Sequence, residues 1–429
     1  MGELPKSGRM TSCCPGTVST AACIRLSNPA PRLSIEDHAS VSPVTVMALA
    51  RGGLIPMNWI ESGVFLKYMA RQVRPLSQFD ATQVRNLLMV NTTALGDTLL
   101  STPAVRALAE LFPKAHRTWM INPRWRAVFA HHPHVHDVLY FDNKTRHLWS
   151  LWRQATRRYD LAVILHGNDP QASLAALMFG AHFVVRVPHG DFPMLHSNPV
   201  SQDASRDIHG IMKRLLTVEV VAGAIPGCEF RASEYEPRME VAVDAAAQDE
   251  LLPHLSTWQL GQGAVYGFQV GASNASRLWP TTHYVALARA LLLQRPDARV
   301  VLTGGTEDAE RCRTIRSEIG DRRVIDACGA VSLAALPALL RRFRVFVTPD
   351  TGVMHLAVAV GVPTVTLFAV AHHSGSGALV DHDRHRFVQG GKTCSPCIGK
   401  RCEYAVCMSL LTPDEVLGAI ADIEEMEPA

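Results

Sequence analysis

Residues 345–368 read VFVTPDTGVMHLAVAVGVPTVTLF. The run VFVTP predicts a buried strand, residues 352–360 predict a helix, and TVTLFA predicts a second strand after a turn at Gly361 and Pro363. The uncharged stretch 351–371 is long enough to suggest a membrane span, but this turn favours a soluble strand–helix–strand unit. Such units build α/β folds with parallel sheets.

The same alternation of strands and helices recurs along the chain. Strands are predicted from NLLMVN (86–91) to HFVVRV (182–187), with helices between them. After a polar stretch over 200–250, the alternation restarts at AVYGFQV (264–270) and ends in a helix over 412–425. We therefore predict an α/β protein with two Rossmann-like domains facing a central cleft. Ligands of such sheets bind beyond the carboxyl ends of the strands.

The predicted organisation has three parts. Residues 1–85 form an N-terminal extension, partly disordered because its beginning is rich in Ser, Pro, Ala and Thr. The first Rossmann-like domain covers 86–255, and the second covers 256–429, with a Cys-rich loop at 394–407 and the terminal helix. Residues 57–74 have the spacing of an amphipathic helix, which either lies on an anionic membrane surface or packs on the first domain.

Composition and charge exclude several classes of protein. The chain has 42 Lys and Arg against 39 Asp and Glu, so its net charge is only +3. A duplex nucleic-acid binder needs a strongly basic face, so we expect no nucleic-acid partner. The N-terminus has no apolar core of a secretory signal, and ten scattered cysteines are typical of a reducing compartment. We therefore expect a cytoplasmic protein.

The turn between the strand VFVTP and the following helix is a candidate anion site. Asp350 or Thr351 can cap the helix, and Gly352 allows a ligand to approach the backbone closely. Free amides and the helix dipole favour a negative charge at this point, and His355 can add a donor. The alternative is a capped helix start with a packed histidine.

Two further turns in the second half carry candidate binding residues. Arg277 lies in GASNASRLWP (271–280), just after a predicted strand, and could neutralise a diphosphate. Gly304 and Gly305 end another strand, and the carboxylate of Glu307 could hold a ribose hydroxyl. An exposed arginine and an ordinary capped turn are the alternatives.

The matching turn in the first half is TALGD (93–97). Asp97 can face the cleft as a general base, although an aspartate at this place more commonly stabilises a helix N-terminus. The residues themselves leave both roles open.

Together, these segments resemble glycosyltransferase family 9, the ADP-heptose:lipopolysaccharide heptosyltransferases, over roughly Asn86 to Ile423. Three landmarks in the family's order carry the resemblance: NLLMVNTTALGDTLLSTPAVRAL (86–108), RLWP (277–280) and VTPDTGVMHLAVAVGVPTVTLF (347–368). The sequence departs from the family at Arg277, where a lysine is usual, and at Ala369, where glycine is frequent.

The resemblance implies a GT-B fold and an inverting, metal-independent transfer of heptose from ADP-heptose to a lipopolysaccharide core or related glycan acceptor. The first domain would bind the acceptor and the second the nucleotide sugar, with no cofactor required for catalysis. Asp97 would be the catalytic base, and Asp350 would contact the donor sugar or be structural. The diphosphate would be held by Arg277, Thr351, Gly352 and His355, and the nucleotide or its ribose by Gly304, Gly305 and Glu307.

The implied partners are a nucleotide-sugar donor and a lipid-linked or glycan acceptor, which would bring a cytoplasmic enzyme into peripheral contact with the inner membrane. Several alternatives remain open. The chain could use another nucleotide sugar or glycosylate a protein. It could also be a sugar-nucleotide epimerase, or a non-catalytic nucleotide-sugar-binding protein, on the same fold.

Four of the ten cysteines cluster near the C-terminus, at Cys394, Cys397, Cys402 and Cys407. Four thiolates at this spacing could bind a structural zinc or iron ion. Free or redox-active thiols are an equally good interpretation, whereas disulfides would conflict with a cytoplasmic location.

Overall fold

The structure is a computed structural model of the 429-residue chain. It describes residues 63–148, 150–151, 157–187, 191–199, 208–261, 263–404 and 406–426. The first 62 residues, which are most of the predicted extension, lie outside the described residues. The sequence also predicts a helix over 147–157, and most of that segment lies outside them as well.

The first domain is built on a parallel sheet of five strands in the order β3-β2-β1-β4-β5. Its central strand, NLLMVN, is buried from Leu87 onward, as expected for a parallel sheet covered on both faces. The strands are β1 (Asn86–Asn91), β2 (His116–Ile121), β3 (Asp137–Tyr140), β4 (Leu161–His166) and β5 (Phe183–Arg186).

Helices cover this sheet, and one of them differs from the prediction. The sequence TLLSTPAVRALAEL (98–111) predicts a single helix, but the structure has two helices that meet near Ser101. Pro103 lies in the first turn of the second of them, where its missing N–H costs no hydrogen bond. The helices of this half are α1 (Gly63–Ala70), α2 (Leu95–Leu99), α3 (Thr102–Leu111), α4 (Arg126–Phe129), α5 (Gln171–Met178) and α6 (Gly210–Ala222).

Helix α1 is the described part of the amphipathic segment predicted over 57–74. Its apolar residues Phe65, Leu66 and Met69 are buried, and the helix packs on the short turn Pro193–Leu195. Residues 63–70 thus bury their apolar face within the protein. None of the helices in the described ranges has the length and apolarity that crossing a bilayer requires.

The second domain is built on a six-stranded parallel sheet in the order β11-β10-β9-β6-β7-β8. Two parallel α/β sheets confirm the predicted fold class. The strands are β6 (Val265–Gln269), β7 (Arg299–Thr303), β8 (Val324–Asp326), β9 (Val345–Pro349), β10 (Thr364–Phe368) and β11 (His385–Gln389). The helices of this half are α7 (Ala245–Thr257), α8 (Thr281–Gln294), α9 (Ala309–Ile319), α10 (Leu336–Leu340), α11 (Gly352–Ala359), α12 (Val406–Ser409) and α13 (Pro413–Met426).

The stretch 200–250 contains more regular structure than its polarity predicts. Helix α6 packs on α3 and on strands β4 and β5, and α7 packs on α10 of the second domain. The apolar residues of α6, at Ile211, Leu215 and Val218, are fully buried. Helix α6 therefore packs on the first domain, whereas α7 packs on the second, so the packing partner changes between these two helices. The exact domain boundary at 255/256 stays a prediction.

The strand order places the cleft residues. In the first sheet, the order in which successive strands are added reverses between β1 and β4, and in the second it reverses between β6 and β9. These are topological switch points, where the loops leaving neighbouring strands diverge and open a crevice. The turns after β1, β6 and β9 carry Asp97, Arg277 and the Asp350–His355 segment.

Candidate functional site

The two switch points meet through a pair of glycines. A Cβ at Gly96 of α2 would lie 2.6 Å from Cδ2 of His355 and 3.6 Å from the Cα of Gly352. A Cβ at Gly352 would lie 2.9 Å from the Cβ of Leu95. Helices α2 and α11 therefore abut at their N-termini, and the absence of side chains at both glycines permits the approach. The contact brings the predicted base of one domain beside the predicted anion site of the other.

Asp97 is held by residues from three elements of the first domain. Arg214 of α6 donates from Nη2 to Oδ1 at 3.0 Å, and Thr93 after β1 lies 3.3 Å from Oδ2. Nε2 of His166, at the end of β4, is 3.7 Å from Oδ1. The Arg214 side chain is only 3% exposed, whereas Asp97 keeps 31% of its side chain accessible. The Asp97 carboxylate is thus held by buried neighbours of the first domain, and part of it remains accessible from the cleft.

The electrostatics of the site keep Asp97 ionised. Burial alone would raise the pKa of this carboxyl, but the protonated form of His166, the guanidinium group of Arg214 and the protonated form of His355 lower the pKa below its ordinary value. His166 is itself neutral, because burial and the nearby Arg214 bring its pKa to about 4. At neutral pH the site therefore offers an ionised carboxylate that can accept a proton.

Arg277 and Asp350 join two turns of the second domain. Nη1 of Arg277 donates to the backbone oxygen of Asp350 at 2.6 Å, and Nη2 lies 3.1 Å from Oδ2 of the same residue. The Asp350 side chain is 10% exposed and that of Arg277 is 21% exposed. Asp350 therefore orients the guanidinium group, which supports its structural role, and part of Arg277 still faces solvent.

The start of α11 is not capped by the hydroxyl of its N-cap residue. Thr351 is the N-cap residue with extended backbone angles (φ −138°, ψ 170°), but its hydroxyl makes no capping hydrogen bond. Thr351 therefore does not cap this helix through its hydroxyl, and capping by Asp350 stays a prediction. Helix N-termini of this kind favour a bound anion. His355 is buried, Nδ1 has no hydrogen-bond partner in the described part of the chain, and burial lowers its pKa to about 3.

The Gly304-Gly305 turn after β7 is organised by a residue that the sequence analysis did not select. Asp308 is buried and accepts from the Gly305 amide at 2.9 Å, and its side chain occupies the space beside Gly271 and Gly304. A Cβ at Gly271 would lie 1.8 Å from Oδ2 of Asp308. Glu307 stays exposed at the mouth of the turn, where it can reach a ligand.

Sequence and structure comparisons agree on one family. The model of glycosyltransferase family 9 (heptosyltransferase) matches residues 216–407. Lipopolysaccharide heptosyltransferase 1 of Pseudomonas aeruginosa is 23% identical over 333 residues, 74% of this chain and 87% of its own. Lipooligosaccharide heptosyltransferase 2 of Haemophilus influenzae is 24% identical, over 66% of this chain and 83% of its own. The chain is thus similar to glycosyltransferase family 9 over much of its second half, and these relatives are named heptosyltransferases.

Solved structures with the same fold are also similar to the chain. A family 9 glycosyltransferase from Veillonella parvula superposes with a TM-score of 0.67 at 19% identity, covering 80% of this chain and 98% of the other. The ADP-heptose lipopolysaccharide heptosyltransferase II of E. coli gives a TM-score of 0.61 at 21% identity, covering 80% and 100%. The predicted GT-B fold is confirmed, and the chain is a glycosyltransferase.

The Cys-rich loop packs beside the turn that carries Arg277. The turn Gly399–Arg401 and helix α12 both pack on the short turn Ala275–Arg277. Nε1 of Trp279 donates to the backbone oxygen of Leu411 at 2.8 Å. The loop thereby supports the turn that carries Arg277.

The thiols of this loop lie near one another, with Cys394 in hydrogen-bond contact with Cys397 and with Cys402 and Cys407 close by. Cys394 is exposed and Cys407 is buried, with its Sγ 3.4 Å from the Thr393 amide. Cys397 and Cys402 make contacts with nearby backbone. Among the described residues, one group of three potential metal ligands has its ligand atoms within 4.8 Å of one another. This group is Cys312, Asp326 and Cys328, and it lies outside the loop. Metal binding at 394–407 stays a prediction.

Cys312 and Cys328 form a packed thiol pair beneath the Gly304 turn. Cys312 is buried in the apolar core, and its contact with Cys328 together with burial raises its pKa. A Cβ at Gly304 would lie 2.6 Å from Sγ of Cys328. The Cys312 thiol is therefore protonated, and the pair supports the turn by packing. Neither Cys312 nor Cys328 lies in a sequence motif that predicts a role.

The chain contains one Asp-x-Asp sequence, Asp381-His382-Asp383, a pattern often associated with metal-dependent sugar transfer. It lies just before β11, next to the beginning rather than the end of β10. Asp381 is paired with Arg238 at 2.6 Å and 3.0 Å. The pattern is thus placed away from the cleft turns described above.

Two cleft residues were missed by the sequence analysis, Arg214 and His166. Arg214 lies in the stretch interpreted as polar, although Ile211, Leu215 and Val218 have the i, i+4, i+7 spacing of a helix face. His166 ends β4 in LAVILHG, and a polar residue at the end of a buried strand is the signal that could have identified it.

Proposed function

We propose that the chain is an inverting, metal-independent glycosyltransferase that moves heptose from ADP-heptose to a lipopolysaccharide core or related glycan acceptor. The observation that carries the proposal is the meeting of an ionised Asp97 with the start of α11 across the Gly96–Gly352 contact. The heptosyltransferase names of the relatives support the sugar and the acceptor class.

The reaction follows from the placement of these groups. Asp97 removes the proton from an acceptor hydroxyl, and the hydroxyl oxygen attacks the anomeric carbon of the donor sugar. The bond from that carbon to the diphosphate breaks on the opposite face, and ADP leaves. Negative charge grows on the diphosphate as the bond breaks, where donors already in position stabilise it best. Arg277 and the amides of Thr351 and Gly352 supply those donors, so a metal ion has no required role.

The proposed acceptor also implies where the enzyme works. A lipid-linked acceptor is presented at the cytoplasmic face of the inner membrane, and we propose that the enzyme works there as a peripheral protein. Because Phe65, Leu66 and Met69 of α1 are buried, membrane contact would use other surfaces.

A donor screen tests the proposed function. We expect ADP-heptose to bind at least about 10-fold more tightly than UDP-, GDP- or TDP-sugars in titration calorimetry, a difference of about 1.4 kcal/mol. ADP release should require heptose-free lipopolysaccharide as acceptor, which separates a transferase from an epimerase or a binding protein. Equal affinity for all donors, or ADP release that ignores the acceptor, would contradict the proposal.

Arg277→Ala is expected to weaken ADP-heptose binding about 10- to 100-fold, because a hydrogen bond to a charged group contributes about 1.5–3 kcal/mol. Arg277→Lys keeps the charge and should lose less. Asp350→Asn is the matched control for loop disorder, since it weakens the Arg277–Asp350 pair and retains the guanidinium group. Calorimetry with ADP-heptose measures all three variants. Unchanged affinity in Arg277→Ala would remove Arg277 from the diphosphate site.

A further inference from the structure

His166 stands beside the catalytic carboxylate, and the mechanism above leaves it without a role. It ends β4 at the switch point of the first sheet, next to β1. Nδ1 lies 2.8 Å from Oγ1 of Thr93, and Nε2 lies 3.7 Å from Oδ1 of Asp97. The side chain is 42% exposed, so one part of the ring contacts the site while another faces solvent.

The hydrogen bonds of Thr93 are compatible with two tautomers of His166, and one of them leaves Nε2 free to accept a proton. The single hydroxyl hydrogen of Thr93 can go to Asp97 at 3.3 Å, to Asn91 at 3.3 Å or to His166 at 2.8 Å. When the hydrogen goes to Asp97, it makes a charge-assisted hydrogen bond to the carboxylate. The Thr93 oxygen then accepts the Nδ1 hydrogen of His166. This leaves Nε2 as a bare acceptor, turned toward Oδ1 of Asp97.

The surroundings of Asp97 disfavour its protonated form. Arg214 already donates to Oδ1 at 3.0 Å, and a protonated carboxyl would lose the charge that holds this contact. The pKa of Asp97 lies below its ordinary value, so the carboxylate does not keep the proton, and Nε2 of His166 is the ring nitrogen near Oδ1. His166 does not retain the proton either, since burial and the positive charges of Arg214, Arg186 and Lys213 oppose the imidazolium.

We propose that His166 is the second proton acceptor of the transfer reaction, receiving at Nε2 the proton that Asp97 takes from the acceptor hydroxyl. The inference rests on the proposed function. The O–H bond of the acceptor breaks, the proton passes from Oδ1 of Asp97 to Nε2 of His166, and the resulting imidazolium releases a proton to solvent. Thr93 positions the ring for this step, and Asp97 is returned to its ionised form for the next turnover.

The proposal is tested by comparing His166→Ala with His166→Gln in transfer from ADP-heptose to heptose-free lipopolysaccharide. General acid–base groups contribute about 10²- to 10⁴-fold, and we expect a loss of kcat near the lower limit because Asp97 remains. Both variants should lose kcat with little change in the acceptor KM, since glutamine keeps a hydrogen-bonding side chain but accepts no proton. Added imidazole should restore part of the rate of His166→Ala.

Controls separate this inference from its alternatives. ADP affinity and the melting temperature show that each variant is folded, and His147→Ala removes a histidine elsewhere in the first domain. A raised acceptor KM that His166→Gln corrects would make His166 a binding residue and overturn the proposal. Full kcat in either variant, or no rescue by imidazole, would overturn it as well. Inactivity of the wild-type chain with ADP-heptose would instead overturn the proposed function, and this inference with it.

Discussion

Asp97→Asn is expected to lower kcat about 10²- to 10⁴-fold and to leave ADP-heptose affinity close to that of the wild type. The amide has nearly the shape of the carboxylate but cannot take a proton from the acceptor hydroxyl, which is the contribution of a general base. Donor affinity should persist because Arg277 and the start of α11 belong to the other domain. Acceptor-dependent ADP release measures the rate, and calorimetry measures the donor affinity.

The same variant has a structural effect that must be measured separately. Arg214 is almost fully buried and loses its charged partner, although it keeps hydrogen bonds to Ser101 and Gly210. An uncompensated buried charge is destabilising, so we expect a lower melting temperature. Asp137→Asn is a matched control, because it neutralises an aspartate of the first sheet at the start of β3. Wild-type turnover in Asp97→Asn would contradict the role of Asp97 as the base.

The sequence predicts some elements well because their signals are local. Strand β9 has the predicted bounds of 345–349, since an apolar β-rich run ends at a proline and a helix-starting turn follows immediately. Helix α11 and strand β10 also agree with their predictions to within one residue. Each of these elements is specified within about 25 residues of sequence, so no distant contact was needed to recognise them.

The arrangement around Asp97 could not be predicted in the same way. Arg214 is 117 residues from Asp97 in sequence, and only the packing of α6 against α3 brings the two together. The contact of Gly96 with His355 joins residues of different domains. Strand β11 was also missed, because it lies within a polar stretch that pairs with β10 at the edge of the sheet. Partners of this kind depend on tertiary structure, which periodicity and turn residues do not encode.

The two cysteine groups also differ in whether local sequence or tertiary structure reveals them. Spacing alone selected Cys394, Cys397, Cys402 and Cys407, yet the structure places this loop against the turn of Arg277. Cys312 and Cys328 are 16 residues apart and meet only because α9 packs on β8. A spacing rule detects ligands within one loop but not a pair contributed by a helix and a neighbouring strand.

Gly96→Ala is expected to lower kcat about 10²-fold by separating the two halves of the site. The new Cβ would lie 2.6 Å from Cδ2 and 3.1 Å from Nε2 of His355, whose ring is buried and cannot swing into solvent. Overpacking of this kind costs about 1–3 kcal/mol, which exceeds the roughly 0.5–1 kcal/mol that alanine gains over glycine in a helix. The strain is relieved by moving α2 away from α11, and a displacement of about 1 Å at a catalytic group can cost about 10²-fold in rate.

The measurements for Gly96→Ala are kcat, ADP affinity and the melting temperature. We expect kcat to fall much more than ADP affinity, because the donor groups of the second domain keep their mutual contacts. Gly418→Ala is the matched control: this glycine lies in α13, and no atom lies within 4 Å of the position its Cβ would take. It should gain about 0.5–1 kcal/mol of stability with unchanged activity. If Gly96→Ala kept both wild-type kcat and melting temperature, the contact between α2 and α11 would not be required for catalysis, and the acceptor and donor groups would have to be aligned by other contacts between the domains.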